Sequence, residues 1–203
     1  MGAGRDTSGA DVLTAAVAQV LAGDQAVVGT GFLVAEDLLI SCAHVLVDGG
    51  YGPGDVVDLV FPRAPGAPSV SGRLLEEGWR DPQEQDIALV RLEHVPAGTA
   101  PLLLGSAAGC RGHRVRSLGF PTQAPPGGHF GFATVGGLLP AADRAGEQLQ
   151  LTGANDLTTG FSGGPVLDEV TGLVVGMLTA IAGPDVRGRG QGIAISGAGA
   201  VHR

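Results

Sequence analysis

Ser162 stands among glycines in the run Gly160-Phe161-Ser162-Gly163-Gly164-Pro165. Glycine removes side-chain bulk and opens backbone angles that other residues avoid, so the Ser162 hydroxyl can be exposed on a tight turn. The same turn aims the amide N–H groups of Gly160 and Ser162 into one hollow suited to an oxyanion. Taken alone, the stretch reads as a glycine-rich hairpin turn. A serine hydroxyl is a weak nucleophile, however, and needs a histidine base whose tautomer a carboxylate fixes. His44 ends the apolar run Leu38-Leu39-Ile40-Ser41-Cys42-Ala43, and Asp86 opens the run Ile87-Ala88-Leu89-Val90-Arg91-Leu92, so each is expected at a strand end. Singly they read as a core histidine and a turn-closing aspartate. In the order His, Asp, Ser they make a set for nucleophilic acyl transfer.

The words that carry these residues are Gly29-Thr30-Gly31-Phe32-Leu33-Val34, Ser41-Cys42-Ala43-His44, Asp86 to Leu92, Gly160 to Pro165, and Gly172-Leu173-Val174-Val175-Gly176-Met177. Together they resemble the chymotrypsin-like (trypsin-fold) serine proteases, and among them bacterial and actinobacterial trypsin-like peptidase domains, over about Val17 to Ile195. The resemblance implies an all-β fold of two six-stranded-type antiparallel β-barrels with the active site in the cleft between them. It implies a serine endopeptidase in which His44, Asp86 and Ser162 are catalytic and the Gly160 and Ser162 amides form the oxyanion hole. Leu178 to Ala182 would line the cleft, with Thr179, Ala180 and Ile181 pairing with a substrate strand. Neither cofactor nor metal is implied. The partners implied are a protein or peptide substrate and a fused or separate regulatory domain, as in regulated proteases of larger bacterial proteins.

Two positions bear on specificity and activation. In the resembled trypsins an aspartate six residues before the nucleophile sits at the base of the pocket, and here that position is Asp156. A carboxylate there would favour Arg or Lys before the cut bond; as an alternative, Asn155-Asp156 forms an Asx-type turn and the pocket takes small or medium apolar residues. In the digestive branch an aspartate directly before the serine pairs with a newly cut N-terminal amine, whereas here that residue is Phe161. Phenylalanine cannot make that pair.

Two rival readings are weighed. Gly160 to Gly164 also fits the G-x-S-x-G turn of α/β-hydrolases, but Gly163, Gly164 and Pro165 would open the required helix poorly, and the only later histidine is His202. The other rival is a catalytically silent trypsin-fold module that binds peptides or regulates, which covalent labelling of Ser162 would distinguish.

Composition fits a packed β protein. The chain has 203 residues, 44% of them hydrophobic, with 36 glycines and 13 prolines that follow no period. A net charge of −8 argues against a nucleic-acid partner, which would require clustered Lys and Arg; Arg111, Arg114 and Arg116 read as the solvent face of a strand. Cys42 and Cys110 show no paired spacing, so neither a disulfide framework nor a metal site is read from them. Without an apolar N-terminal signal core or a run long enough to span a bilayer, no membrane partner and a cytoplasmic location are expected.

Hydrophobic patterning and turn residues divide the chain. Residues 1–16 read as a tail and short helix, 17–100 as a first barrel lobe holding His44 and Asp86, and 101–203 as a second lobe holding Ser162, the oxyanion hole and the substrate pocket. Strands are expected at 17–21, 26–34, 56–61, 70–75 and 86–92. In the second lobe they are expected at 114–120, 129–136, 148–151, 173–181 and 192–195.

Overall fold

The structure, a computed structural model, describes residues 9–140, 147–154, 156–181 and 190–193. Helix α1 (Gly9–Ala16) leads into six strands: β1 (Val17–Leu21), β2 (Val27–Ala35), β3 (Leu38–Ser41), β4 (Val56–Val60), β5 (Ser69–Leu74) and β6 (Ala88–Leu92). A short helix α2 (Ala43–Asp48) follows β3. Six more strands complete the chain: β7 (Arg114–Gly119), β8 (His129–Pro140), β9 (Glu147–Thr152), β10 (Pro165–Asp168), β11 (Val174–Ile181) and β12 (Gly190–Ile193). They close into two antiparallel barrels, ordered β1-β2-β3-β6-β5-β4 and β7-β8-β9-β12-β11-β10. The two orders are the same, so one six-strand plan is used twice. Closure matters physically, because a barrel leaves no edge of unpaired backbone N–H and C=O groups.

Three elements differ from the sequence reading. The run into His44 ends as a strand at Ser41, and His44 lies in the first turn of α2 rather than at a strand end. Asp86 precedes β6, which begins at Ala88, and Arg80 and Ile87 exchange backbone hydrogen bonds of 2.8 and 3.1 Å that close the loop carrying it. Strand β10 has no counterpart in the expected list. Its four residues are all buried, so no polar alternation marks it, and Pro165 occupies the first strand position, where a missing N–H is tolerated. Ile195, Ala182, Asn155 and the segment Ser196 to Arg203 lie outside the described residues.

The first barrel is filled by side chains such as Phe32, Leu39, Leu59, Phe61 and Leu74, all essentially buried. The same cluster continues through Leu118, Phe120, Leu167, Val174 and Met177, which come from the second barrel, so the interface between barrels is part of one core. A separate cluster around Leu149, Leu151, Leu157 and Phe161 fills the second barrel. Among the arginines, Arg114 is exposed, 3.3 Å from Glu169, and over the Phe132 ring, whereas Arg116 buries its Nε without a partner. Among the described residues no helix is long and apolar enough to cross a membrane.

Thr30, at the centre of β2, joins the barrels. Its N–H donates to Ser162 O at 2.9 Å and its hydroxyl to Gly160 O at 2.8 Å, while its own carbonyl accepts from Ser41 Oγ at 2.7 Å. Thr30→Val keeps the shape and removes the hydroxyl donor. We expect a stability loss of about 1 kcal/mol, the net value of one hydrogen bond, with recovery in Thr30→Ser. Urea unfolding of the three proteins measures it; equal midpoints would show the hydroxyl contributes nothing.

Candidate active site

Asp86 and His44 meet through two hydrogen bonds. The His44 backbone N–H donates to Asp86 Oδ1 at 2.9 Å, and His44 Nδ1 lies 2.7 Å from Oδ2. The first contact answers a local need: amides of a helix's first turn lack intrahelical acceptors, and Cys42 at the N-cap makes no side-chain capping bond to them. The second fixes the imidazole, because a carboxylate that only accepts makes Nδ1 the donor and leaves the Nε2 lone pair free. Asp86 is nearly buried at 4% side-chain exposure, whereas His44 is 31% exposed. The acid is thus shielded and the base is open to a ligand.

The backbone of Asp86 has φ of 56°, in the left-handed region that few residues except glycine, asparagine and aspartate occupy. Its N–H donates to Asp81 O at 3.0 Å across the closed loop. Strain of this kind persists only where surrounding bonds over-determine the conformation. Here the Arg80–Ile87 pair and both His44 bonds do so.

Ser162 sits on a loop held from both sides. Its carbonyl is taken by Thr30 N–H, and Gly160 O by Phe120 N–H at 3.1 Å as well as by the Thr30 hydroxyl. Gly163 N–H donates to Leu178 O at 2.7 Å, and Leu178 N–H to Gly164 O at 2.9 Å. Gly163, with φ of 84°, presses so closely on Thr30 that a Cβ would run into Thr30 O and come within 2.6 Å of Ser41 Oγ. Only glycine fits there. Phe161 points the other way, 1% exposed in the second core, its ring where a Cβ of Gly119 would lie at 2.5 Å. The carbonyls of Gly160 and Ser162 are therefore drawn toward neighbouring elements, and among the described residues neither amide N–H has an acceptor.

The structure brings Ser162 beside α2. A Cβ on Gly29 would meet Val45 Cγ1 at 2.6 Å and Ser162 O at 3.1 Å, so the residue after His44 and the serine backbone share one neighbour. No hydrogen bond joins the Ser162 hydroxyl to His44 among the described residues. Thr179 to Ile181 run past Pro165, the start of β10, so β12 pairs with one edge of this stretch and no described strand pairs with the other. Thr179 itself is buried.

Asp156 is exposed on a turn among the described residues. Sequence reasoning passed over Thr30, although its flanking glycines marked a close backbone approach. It also passed over Cys42, whose Sγ donates to Leu178 O at 3.3 Å.

Two groups of side chains have ligand atoms close enough to hold a metal: Cys42, His44 and Asp86, and separately Cys110, His113 and Asp168. In the second, burial pushes the Cys110 thiol above its ordinary pKa, with the Asp168 charge and hydrogen bond adding to it. Burial also works to raise Asp168, but hydrogen bonds from His113, Val170 and Thr171 and the His113 charge outweigh it and hold the carboxyl below its usual value.

The sequence profile described as the trypsin-like peptidase domain matches residues 29–177, a span that runs from β2 of the first barrel into β11 of the second and contains His44, Asp86 and Ser162. The chain belongs to the trypsin-like peptidase family and is a serine-type endopeptidase, a hydrolase. No curated protein sequence matches it. Among solved structures it is similar to the Rv3671c protease from M. tuberculosis in its active form, at 22% identity and a TM-score of 0.68, over 93% of this chain and 80% of that one. An inactive mutant form of Rv3671c aligns at 18% identity and a TM-score of 0.69, over 93% and 85%. The HtrA-type protease AlgW with decapeptide aligns at 18% identity and a TM-score of 0.68, covering 93% of this chain and 64% of that one. At such identities the likeness is one of fold.

Because Phe161 anchors the serine loop by apolar burial, the loop needs no ion pair with an N-terminal amine. Peptidase activity is therefore expected to be the same in protein carrying a short N-terminal tag and in protein from which the tag has been cut. A kcat/KM that rises only on exposing a new amine would contradict this.

Proposed function

We propose that this endopeptidase cleaves peptide bonds through a triad of Ser162, His44 and Asp86 and an acyl-enzyme. The observation that carries the reading is the double contact of Asp86 with His44, which fixes both the ring orientation and the proton on Nδ1. His44 Nε2 accepts the Ser162 proton as Oγ attacks the scissile carbonyl, and returns that proton to the leaving amine. Water, activated by the same nitrogen, then hydrolyses the ester. The Gly160 and Ser162 amides stabilise the oxyanion in both steps, each donor contributing on the order of 10²-fold or more in kcat. Catalytic hydrogen bonds commonly tighten only when substrate is bound, and the Ser162–His44 bond forms at that stage.

The substrate strand adds to the open edge of Thr179 to Ile181, where backbone pairing supplies affinity without dictating side chains. Wider regulation, as a domain of a larger bacterial protein, rests on the resemblance to actinobacterial multidomain proteins.

The missing Ser162–His44 bond favours one second reading, a silent peptide-binding module. A fluorophosphonate probe separates the two, since only an activated serine is labelled. We expect stoichiometric labelling of Ser162, and loss of kcat by about 10⁴-fold or more in Ser162→Ala and in His44→Ala with the fold retained, because triad members act as a unit. Absent labelling together with absent turnover would leave the silent module, and near-native turnover in Ser162→Ala would overturn Ser162 as the nucleophile. Asp86→Asn is expected to fail as well while keeping the left-handed backbone that asparagine tolerates.

The exposure of Asp156 on a turn supports the Asx-turn alternative, and the preference before the cut bond is proposed to be for small or medium apolar residues. A peptide-library digest with the native protein and with Asp156→Ser is expected to give the same preference. A strong choice of Arg or Lys that vanishes in Asp156→Ser would restore the charged pocket.

A further inference from the structure

Cys110, His113 and Asp168 meet where β7 begins and β10 ends. A turn brings the first two together: His113 N–H donates to Cys110 O at 2.9 Å, and Cys110 N–H to Ala107 O at 3.2 Å. Asp168 arrives from far along the chain because β10 pairs with β7, with Asp168 opposite Val115. Asp168 Oδ2 lies 3.0 Å from His113 Nδ1, 3.6 Å from Cys110 Sγ and 2.9 Å from Thr171 Oγ1. Three donors thus converge on one carboxylate oxygen, which has two lone pairs to offer.

The geometry points to a zinc-binding site formed by Cys110 Sγ, His113 Nδ1 and Asp168 Oδ2. With Zn–S near about 2.3 Å and Zn–N and Zn–O near about 2.1 Å, tetrahedral ligand atoms stand roughly 3.4–3.6 Å apart. The sulfur–oxygen edge already has that length, and the nitrogen–oxygen edge needs to open by a few tenths of an ångström. One thiolate, one imidazole and one carboxylate suit zinc, while the sulfur disfavours magnesium and calcium. Outer contacts that orient a ligand are also present: Val170 N–H donates to Asp168 Oδ1 at 3.0 Å and Thr171 Oγ1 to Oδ2. Asp168 is fully buried, but the His113 side chain is 28% exposed and opens the path for the ion and for water as fourth ligand. On binding, the Cys110 thiol loses its proton to solvent and the His113 proton moves from Nδ1 to Nε2, so one proton is released per ion. The ion ties the turn of Ala107 to His113 to the turn after β10, and its role is to stabilise the second barrel.

The test uses the full chain carrying His44→Ala, which breaks the other Cys/His/Asp group. Equilibrium dialysis is expected to show one zinc ion bound, cobalt in its place to give a thiolate charge-transfer band in the near ultraviolet, and zinc to raise Tm in a concentration-dependent way. Adding Cys110→Ser should abolish the cobalt band and the Tm shift. Adding Thr171→Val, which keeps all three ligands, should weaken zinc binding about 10-fold and so decides the matter if Cys110→Ser folds poorly. No saturable binding, binding unchanged by Cys110→Ser, or equal affinity in Thr171→Val would overturn the site.

Discussion

Gly163 and Thr30 touch backbone to backbone, and the active site depends on that contact. The space a Cβ of Gly163 would need is already taken by the Thr30 carbonyl, and the Thr30 amide and hydroxyl hold the carbonyls of Ser162 and Gly160. One residue of the first barrel thereby sets the course of the serine loop of the second. With its carbonyls committed on that side, the loop leaves the Gly160 and Ser162 amides turned away from every described acceptor.

The opposite wall of the cleft is organised by Asp86. Its carboxylate accepts one first-turn amide of α2 and orients the ring of His44 in one act, so helix start and imidazole share one support. The cost is a left-handed backbone at a buried aspartate, compensated by the loop closed between Arg80 and Ile87. Apolar burial of Phe161 on one side and hydrogen bonding by Thr30 on the other hold the serine loop.

The two His–Asp pairs among the described residues differ in what surrounds them. At the active site Asp86 spends both oxygens on His44, leaving the far ring nitrogen free for a proton. At the second cluster one oxygen of Asp168 is crowded by donors from a thiol, an imidazole and a hydroxyl, an arrangement suited to gathering a cation rather than relaying a proton. The same residue types thus stand in different surroundings according to how many donors each carboxylate oxygen must satisfy.

Periodicity and turn residues were enough to place most strands, because barrel strands alternate buried and exposed positions that leave a mark in the sequence. The order of His44, Asp86 and Ser162 within recognisable words likewise pointed to a two-barrel peptidase before any coordinates. What the chain order left undecided were contacts between distant segments. Strand β10 is buried throughout and so lacks the alternation that would reveal it. Asp156 stands at the spacing of a pocket carboxylate, yet only the folded turn shows it in solvent. Cys110 and His113 are separated by two residues and had no visible third partner until β10 was laid against β7 and delivered Asp168. Sequence determines which side chains a strand presents and in what rhythm; which strands become neighbours is set by barrel closure, and both candidate sites described above are built across such neighbours.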